Sequence, residues 1–280
     1  MAEILMHWNY FSKGWDLDYG FARAREYGYD GIELRMPPDE GLKQALADIK
    51  ALKQKHELRY VVLARGVDVI HDDESVRRKN VAAMKDALNA VYGPFGPGTI
   101  VNCSAGGIKD GSAAAQEVHF ERAAAGFREI AKVAEDRFLK IVFEIHMGTI
   151  HDTAKSTVKF LDMIGSPACS ANLDYGNMFL TPHAEKDVPT IAQTLRGRIG
   201  YFHLKNYHLP YQTQARFLTL LAEGDIDHSY LIKCIYESGY TGLLCPEHPW
   251  PGDGHYSALR DLAYLREITR RLGWEKKPLM

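Results

Sequence analysis

Eight times along this chain a short apolar run gives way to a longer amphipathic stretch, and that alternation constrains the fold more than any other feature. The runs occupy residues 4–7, 31–34, 60–63, 99–102, 141–146, 171–174, 200–204 and 242–245. Their length and their Val, Ile, Leu and Phe content predict strands. Between them, apolar residues recur at three- and four-residue spacing over 42–56, 76–91, 113–135, 153–164, 188–196, 230–238 and 256–272, with a shorter and weaker pattern over 16–27. Asp152 or Thr153 is the expected cap at the start of the helix near 153.

Strict β–α alternation implies a parallel sheet with right-handed crossovers. Eight units without a spare strand favour closure, and 280 residues suit a barrel that typically needs about 250. The competing doubly wound sheet in its dinucleotide-binding form lacks support, because no G-x-G-x-x-G follows the first strand. The expectation is therefore an α/β fold, a single (β/α)₈ TIM barrel over residues 1–280. Its longest connection, 206–228, carries Tyr207, Tyr211 and Phe217 and is a candidate lid or oligomer contact.

A net charge of −2 gives no electrostatic reason to expect a nucleic acid or an anionic membrane as partner. The four cysteines include no C-x-x-C pair, which argues against a cysteine zinc site and for buried thiols in a reduced compartment. Neither a signal-peptide pattern nor a long apolar span is evident, so a cytoplasmic protein is expected.

In such barrels chemistry sits at the C-terminal ends of the strands. There the fifth run brings Glu144 and His146, the sixth Asp174, the seventh His203 and Lys205, and the eighth Glu247. The steps between the acidic or imidazole positions are 174 − 144 = 30, 203 − 174 = 29 and 247 − 203 = 44 residues, about one β–α unit each. A lone strand-end carboxylate usually caps a helix or faces solvent, and a lone buried histidine is usually a hydrogen-bonded core residue. Four such groups on successive strands point instead to one divalent cation, since three carboxylates converging in a barrel mouth repel unless a cation offsets them. Nitrogen and oxygen donors suit Mn²⁺ first, with Co²⁺, Mg²⁺ or Zn²⁺ as alternatives.

Side chains on a strand alternate in direction, so His146 shares a face with Glu144 and Lys205 with His203. His146 is a candidate catalytic base or a support for Glu144. Lys205 is a candidate for substrate contact or for pairing with Glu33. Glu33 and His7 face the pocket by the same parity, Asn177 follows Asp174 closely, and Trp250 is a candidate pocket wall. His151, His183, His248 and His255 are expected to be exposed loop residues.

The ordered set Gly31-Ile-Glu-Leu, Glu144-x-His146, Asp174-x-Gly-Asn177, His203-Leu-Lys-Asn206, Gly224-Asp-Ile-Asp227 and Glu247 resembles the xylose-isomerase-like barrel superfamily over essentially the whole chain. That group includes sugar phosphate isomerases and epimerases, ketose 3-epimerases, inosose dehydratases and endonuclease IV. The resemblance implies a metal site of Glu144, Asp174, His203 and Glu247. In its epimerase branch the two glutamates also exchange protons on opposite sides of a ketose carbonyl. The chain departs from the ketose 3-epimerase pattern at Asn177, where those proteins have histidine, and at Leu209, where they have arginine. Residues 145–149, Ile-His-Met-Gly-Thr, look like an inosose dehydratase motif. The Glu-x-His pair is similar to that of C-glycoside deglycosidases, in which a histidine removes a proton beside a ketone.

The functional expectation is a metal-dependent isomerase or epimerase acting on a sugar-like substrate by proton abstraction next to a carbonyl. Catalysis falls to Glu144, Glu247 and His146, with substrate contacts from Lys205, His146, Glu33, His7, Asn177 and Trp250. The alternatives are a lyase on the same scaffold with His146 as base, and a non-catalytic sugar-binding barrel. An abasic-site nuclease is disfavoured by the acidic balance and the lack of a Lys/Arg-rich loop. Association with a second copy or a different subunit is also an expectation.

Overall fold

The computed structural model describes residues 2–11, 16–210, 215–247 and 252–274. Strands β1 (Leu5–His7), β2 (Gly31–Arg35), β3 (Tyr60–Gly66), β4 (Ile100–Ser104), β5 (Lys140–Glu144), β6 (Cys169–Asp174) and β7 (Ile199–Leu204) lie side by side in sequence order. After them come β8 (Asn206–His208), β9 (Phe217–Thr219) and β10 (Leu244–Pro246), and β10 pairs with β7. Every neighbouring pair in this eight-stranded sheet is parallel. A parallel bridge between Ile4 and Leu244, with the Leu244 amide donating to the Glu3 carbonyl at 3.0 Å, joins the last strand to the first. The α/β TIM barrel expected from the alternation is thus the observed fold.

The helices are α1 (Leu17–Tyr27), α2 (Leu42–Lys55), α3 (Glu74–Phe95), α4 (Glu117–Asp136), α5 (Ala154–Ile164), α6 (Tyr175–Leu180), α7 (Val188–Thr194), α8 (His228–Glu237) and α9 (Gly254–Arg271). Among the described residues no helix is long and apolar enough to cross a membrane.

Period-two alternation sorts the strand residues into two cores. Outward positions such as Ile32, Leu63, Val101, Phe143, Leu173 and Phe202 are buried against the helices. Phe143 meets Phe127 of α4 and Phe160 of α5 with ring centroids 4.6 and 4.8 Å apart, edge to face as ring quadrupoles prefer. Inward positions Leu5, Val62, Val142, Tyr201, Leu243 and Cys245 plug the barrel from within. That plug makes the barrel a packed body with chemistry at its mouth.

Three local readings need correction, and a fourth, the cap near residue 153, is narrowed to one of its two candidates. β5 ends at Glu144, so His146 lies beyond the strand, on the turn that follows it. α4 begins at Glu117, because residues 111–113 form a separate 3₁₀ turn. Thr153 caps α5, its hydroxyl accepting from the Ser156 amide at 3.0 Å, whereas Asp152 is buried and accepts from the Ser112 amide. His151, expected to be exposed, is buried against Phe160.

The segment 206–228 holds a short antiparallel hairpin of β8 and β9. Its anchor is the buried Asn206, whose side chain donates to the carbonyls of Leu221 and Ile226 and accepts from the amides of Tyr207 and Ile226. Gly224 is part of that knot, since a Cβ there would stand 2.2 Å from the Asn206 oxygen. Asp227 then caps α8 by accepting from the Tyr230 amide. Tyr211 lies outside the described residues.

Candidate metal centre

The inward register that builds the barrel plug also builds the site one level higher. His7 is level with Glu33, Asp174 with His203, and Glu144 with Asn172. Ligand atoms of Glu144, Asp174, His203 and Glu247 all lie within 4.8 Å of one another. From His203 Nδ1 the distances are 3.4 Å to Glu247, 3.9 Å to Glu144 and 4.0 Å to Asp174. Strands from separate parts of the sequence therefore bring these four side chains to one point.

His203, Asp174 and Glu247 are each held by a hydrogen bond on one atom while another atom faces the common centre, and Glu144 is held on both oxygens. His203 Nε2 donates to Glu33 Oε2 at 2.7 Å, so that in the neutral ring a metal would meet, Nδ1 carries the lone pair. Asp174 Oδ1 accepts the Asn177 amide at 3.0 Å as the cap of α6. Glu144 Oε1 accepts from Asn177 Nδ2 and Oε2 from Asn102 Nδ2, at 3.1 and 3.4 Å. Glu247 Oε1 accepts from Asn9 Nδ2 at 2.9 Å. His203 Nδ1, Asp174 Oδ2 and Glu247 Oε2 are buried with no hydrogen-bond partner. The Lys205 ammonium is close to both oxygens, 2.9 Å from Asp174 and 2.7 Å from Glu247, but its direction gives neither a hydrogen bond. Such convergent orphan atoms, one imidazole nitrogen among carboxylate oxygens, fit a divalent cation.

Charge balance says the same. Burial drives Asp174 up to about 6, with Lys205 opposing and Glu144 and Glu247 reinforcing. Burial opposes charging His203, yet Glu33 and the neighbouring carboxylates raise it well above its ordinary value. Burial likewise opposes Lys205, and Asp174, Glu247 and Glu144 raise it further. Burial would raise Glu33, but His203 brings it down to about 2. With protein charges alone, then, His203 and Lys205 hold their protons and Asp174 is drawn toward one, while Glu33 and Glu247 stay charged. A divalent cation competes for the same lone pairs, so its uptake releases protons.

Gly176 explains part of the Asp174-x-Gly-Asn177 motif. A Cβ there would lie 2.3 Å from Lys205 Cγ, so only glycine lets the lysine stem pass beneath α6. Lys205 accordingly pairs with Asp174 and Glu247, and its partner is not Glu33.

Glu33 and His7 lie fully buried beside the four, and burial lowers His7 to about 4. Glu33 is bonded to His203 and Asn102, and His7 Nδ1 accepts from the Asn9 amide. His146 is exposed, with Nδ1 hydrogen-bonded to the Met147 carbonyl at 2.9 Å, which leaves Nε2 as the acceptor nitrogen. A cavity of about 720 Å³ opens on the Glu144 side and is also lined by His146, Trp8, Arg35, Ala64 and Asn102. Trp250 and His248 lie outside the described residues.

The sequence reading missed Asn9, Asn102 and Arg35. Asn102 ended the run 99–102 and Arg35 directly followed the run 31–34, both on the inward parity, a signal that was present. Asn9 sits in a 3₁₀ turn, Trp8–Tyr10, where no period applies.

Among solved structures, the D-allulose 3-epimerase from Methylomonas sp. in complex with D-allulose superimposes with a TM-score of 0.78 at 19% identity, over 95% of this chain and 97% of that one. A xylose isomerase-like TIM barrel protein from Mycobacterium smegmatis in complex with magnesium gives 0.73 at 17% identity, over 96% of both chains. Inosose dehydratase of Klebsiella pneumoniae (strain 342) is 22% identical over 260 residues, 86% of each chain. The family model described as xylose isomerase-like TIM barrel matches residues 21–268, and the chain belongs to that family.

Proposed function

We propose that this chain is a divalent-metal lyase that removes a proton beside the carbonyl of a keto-sugar or keto-cyclitol and expels a β-substituent. The observation that carries this reading is the position of His146, which lines the open cavity together with Glu144. Both oxygens of Glu144 already accept hydrogen bonds from amides. The imidazole carries no such restraint on Nε2.

In this reading Glu144, Asp174, His203 and Glu247 hold the cation. The cation supplies a Lewis acid that polarises carbonyl and adjacent hydroxyl oxygens. Glu33 orients His203, Asn177 and Asn102 orient Glu144, and Asn9 orients Glu247. Lys205 offsets part of the remaining negative charge. His146 Nε2 takes the proton on the carbon next to the carbonyl. A carbon–carbon double bond forms as the β-hydroxyl departs, and the imidazolium proton is available to it, so water leaves. The similarity to an inosose dehydratase supports this class.

A second reading is epimerisation, in which Glu144 and Glu247 exchange protons on opposite faces of a ketose. The fold likeness to an epimerase and the two glutamates flanking one centre favour it. Asn177 speaks against it, because its amide nitrogen holds Glu144 in place.

Metal analysis of the purified protein, followed by turnover of keto-cyclitols and ketoses in D₂O, tests the proposal. Loss of water with a new vinylic proton signal is the expected result, and Glu144→Gln and His146→Asn should each abolish it. An isomeric, deuterated product would replace the first reading with the second. Unchanged turnover in Glu144→Gln at saturating metal, or no bound metal, would remove both.

A further inference from the structure

The cavity beside Glu144 has a cationic wall that the chemistry above does not use. On the inward register of β2, Arg35 follows Glu33 by two residues and stands level with Ala64 of β3. It is thus the next inward side chain above the site, and it lines the cavity together with Glu144. Its guanidinium lies over the Trp8 ring, 5.5 Å from the centroid. Trp8 in turn lies against His7, with ring centroids 3.8 Å apart. Stacking fixes the plane of a guanidinium and leaves its N–H edge free.

Among the described residues no carboxylate pairs with Arg35. Its neighbour Arg65 lines the cavity too but differs: both its terminal nitrogens are engaged by Asp39, at 2.6 and 3.1 Å. The cavity therefore has an anionic end at the candidate metal centre and one uncompensated, pre-oriented cation at the other. Between them the inward positions are small, Ala64, Gly66 and Ser104.

We infer that Arg35 receives an anionic group of the substrate, so that the substrate is an acidic sugar derivative carrying a carboxylate or a phosphate away from its carbonyl. This rests on reading the mouth as a site for a sugar-like molecule. A planar, stacked arginine can bind either anion with two parallel N–H···O bonds, which lysine cannot reproduce.

The test compares three ketose ligands by calorimetry on the full chain: neutral fructose, fructose 6-phosphate and 2-keto-D-gluconate. Each is titrated into manganese-loaded and chelator-treated protein, wild type and Arg35→Met and Arg35→Lys. One of the two anions should bind wild type about tenfold or more tighter than fructose, as charge-assisted bidentate pairing warrants. Arg35→Met should cut that preference to about twofold or less, and Arg35→Lys should keep only part of it. Which anion wins separates carboxylate from phosphate. Absence of any tighter-binding anion, or a preference that survives Arg35→Met, overturns the inference. An Arg35-dependent preference without turnover leaves it standing while the lyase reading falls. Turnover of a neutral keto-cyclitol unaffected by Arg35→Met does the reverse.

Discussion

At the rim of the barrel, β5, β6, β7 and β10 turn Glu144, Asp174, His203, Lys205 and Glu247 inward, whereas β2, β3 and β4 turn Arg35, Ala64, Gly66 and Ser104 toward the same space. One half of the mouth is crowded with charge and the other is open. The crowded half concentrates carboxylates in a volume too tight for an organic ligand but suited to a compact cation. The open half offers room between smaller inward side chains. The difference teaches that one strand register can build a binding point for an ion and a bed for the molecule it acts on, merely by changing side-chain size from strand to strand.

The sharpest way to break this division is Asp174→Asn. Asparagine keeps an acceptor for the Asn177 amide, so the cap of α6 survives. The negative oxygen facing the centre is lost. Turnover should fall about a thousandfold, the rate equivalent of several kcal/mol of Lewis-acid stabilisation. Metal content at equal free metal should fall with it. A variant with full metal occupancy and undiminished kcat would show that the crowded half does not act as a cation site.

Next in size is Lys205→Met. It removes the ammonium that offsets buried Asp174 and Glu247 while filling the same stem volume. Stability should drop by about 3–5 kcal/mol when metal is chelated, the usual cost of breaking a buried pair. Saturating divalent metal should restore much of that by mass action. Thermal unfolding with and without chelator reads both. Equal losses in the two conditions would mean that Lys205 and a cation do not share the same carboxylates.

Ala64→Leu probes the open half. The larger isobutyl side chain enters the cavity and leaves every candidate ligand untouched. kcat/KM should fall by about tenfold to a hundredfold through displaced substrate, with metal content and melting temperature unchanged. If kcat/KM holds, the substrate lies elsewhere.

How much of this division was written in the sequence depends on side-chain type. The eight strand runs were legible because buried parallel strands need unbroken apolar stretches. The four candidate ligands were legible because a charge ending such a run is conspicuous. Asn102 carries no charge, and a buried amide that orients a carboxylate looks like any turn residue; Asn177 was named, but as a substrate contact and not as the partner of Glu144. Arg35 at a strand end reads as a solvated charge until its neighbours Ala64 and Gly66 are seen to leave a cavity. The six-residue helix α6 and the β8–β9 hairpin had no period to detect. They are fixed by tertiary contacts, the cap at Asp174 and the side chain of Asn206.

The smallest expected effect concerns the scaffold behind the crowded half. His151, just beyond β5, is buried against Phe160, and burial lowers its pKa to about 4. Its folded value is below the unfolded one, about 6.5, so the neutral ring is favoured by folding. That contribution is complete above pH 6.5 and is lost as pH falls toward 4. By pH 5.5 about 1 kcal/mol of it has been lost. α3, behind the open half, packs no buried histidine of its own. Amide-exchange protection factors of α5 should therefore decline more than those of α3 between pH 7.5 and 5.5, and His151→Gln should flatten the difference. If α5 and α3 lose protection in parallel in both proteins, the acid sensitivity belongs to the whole barrel, and the asymmetry between its halves stops at the mouth.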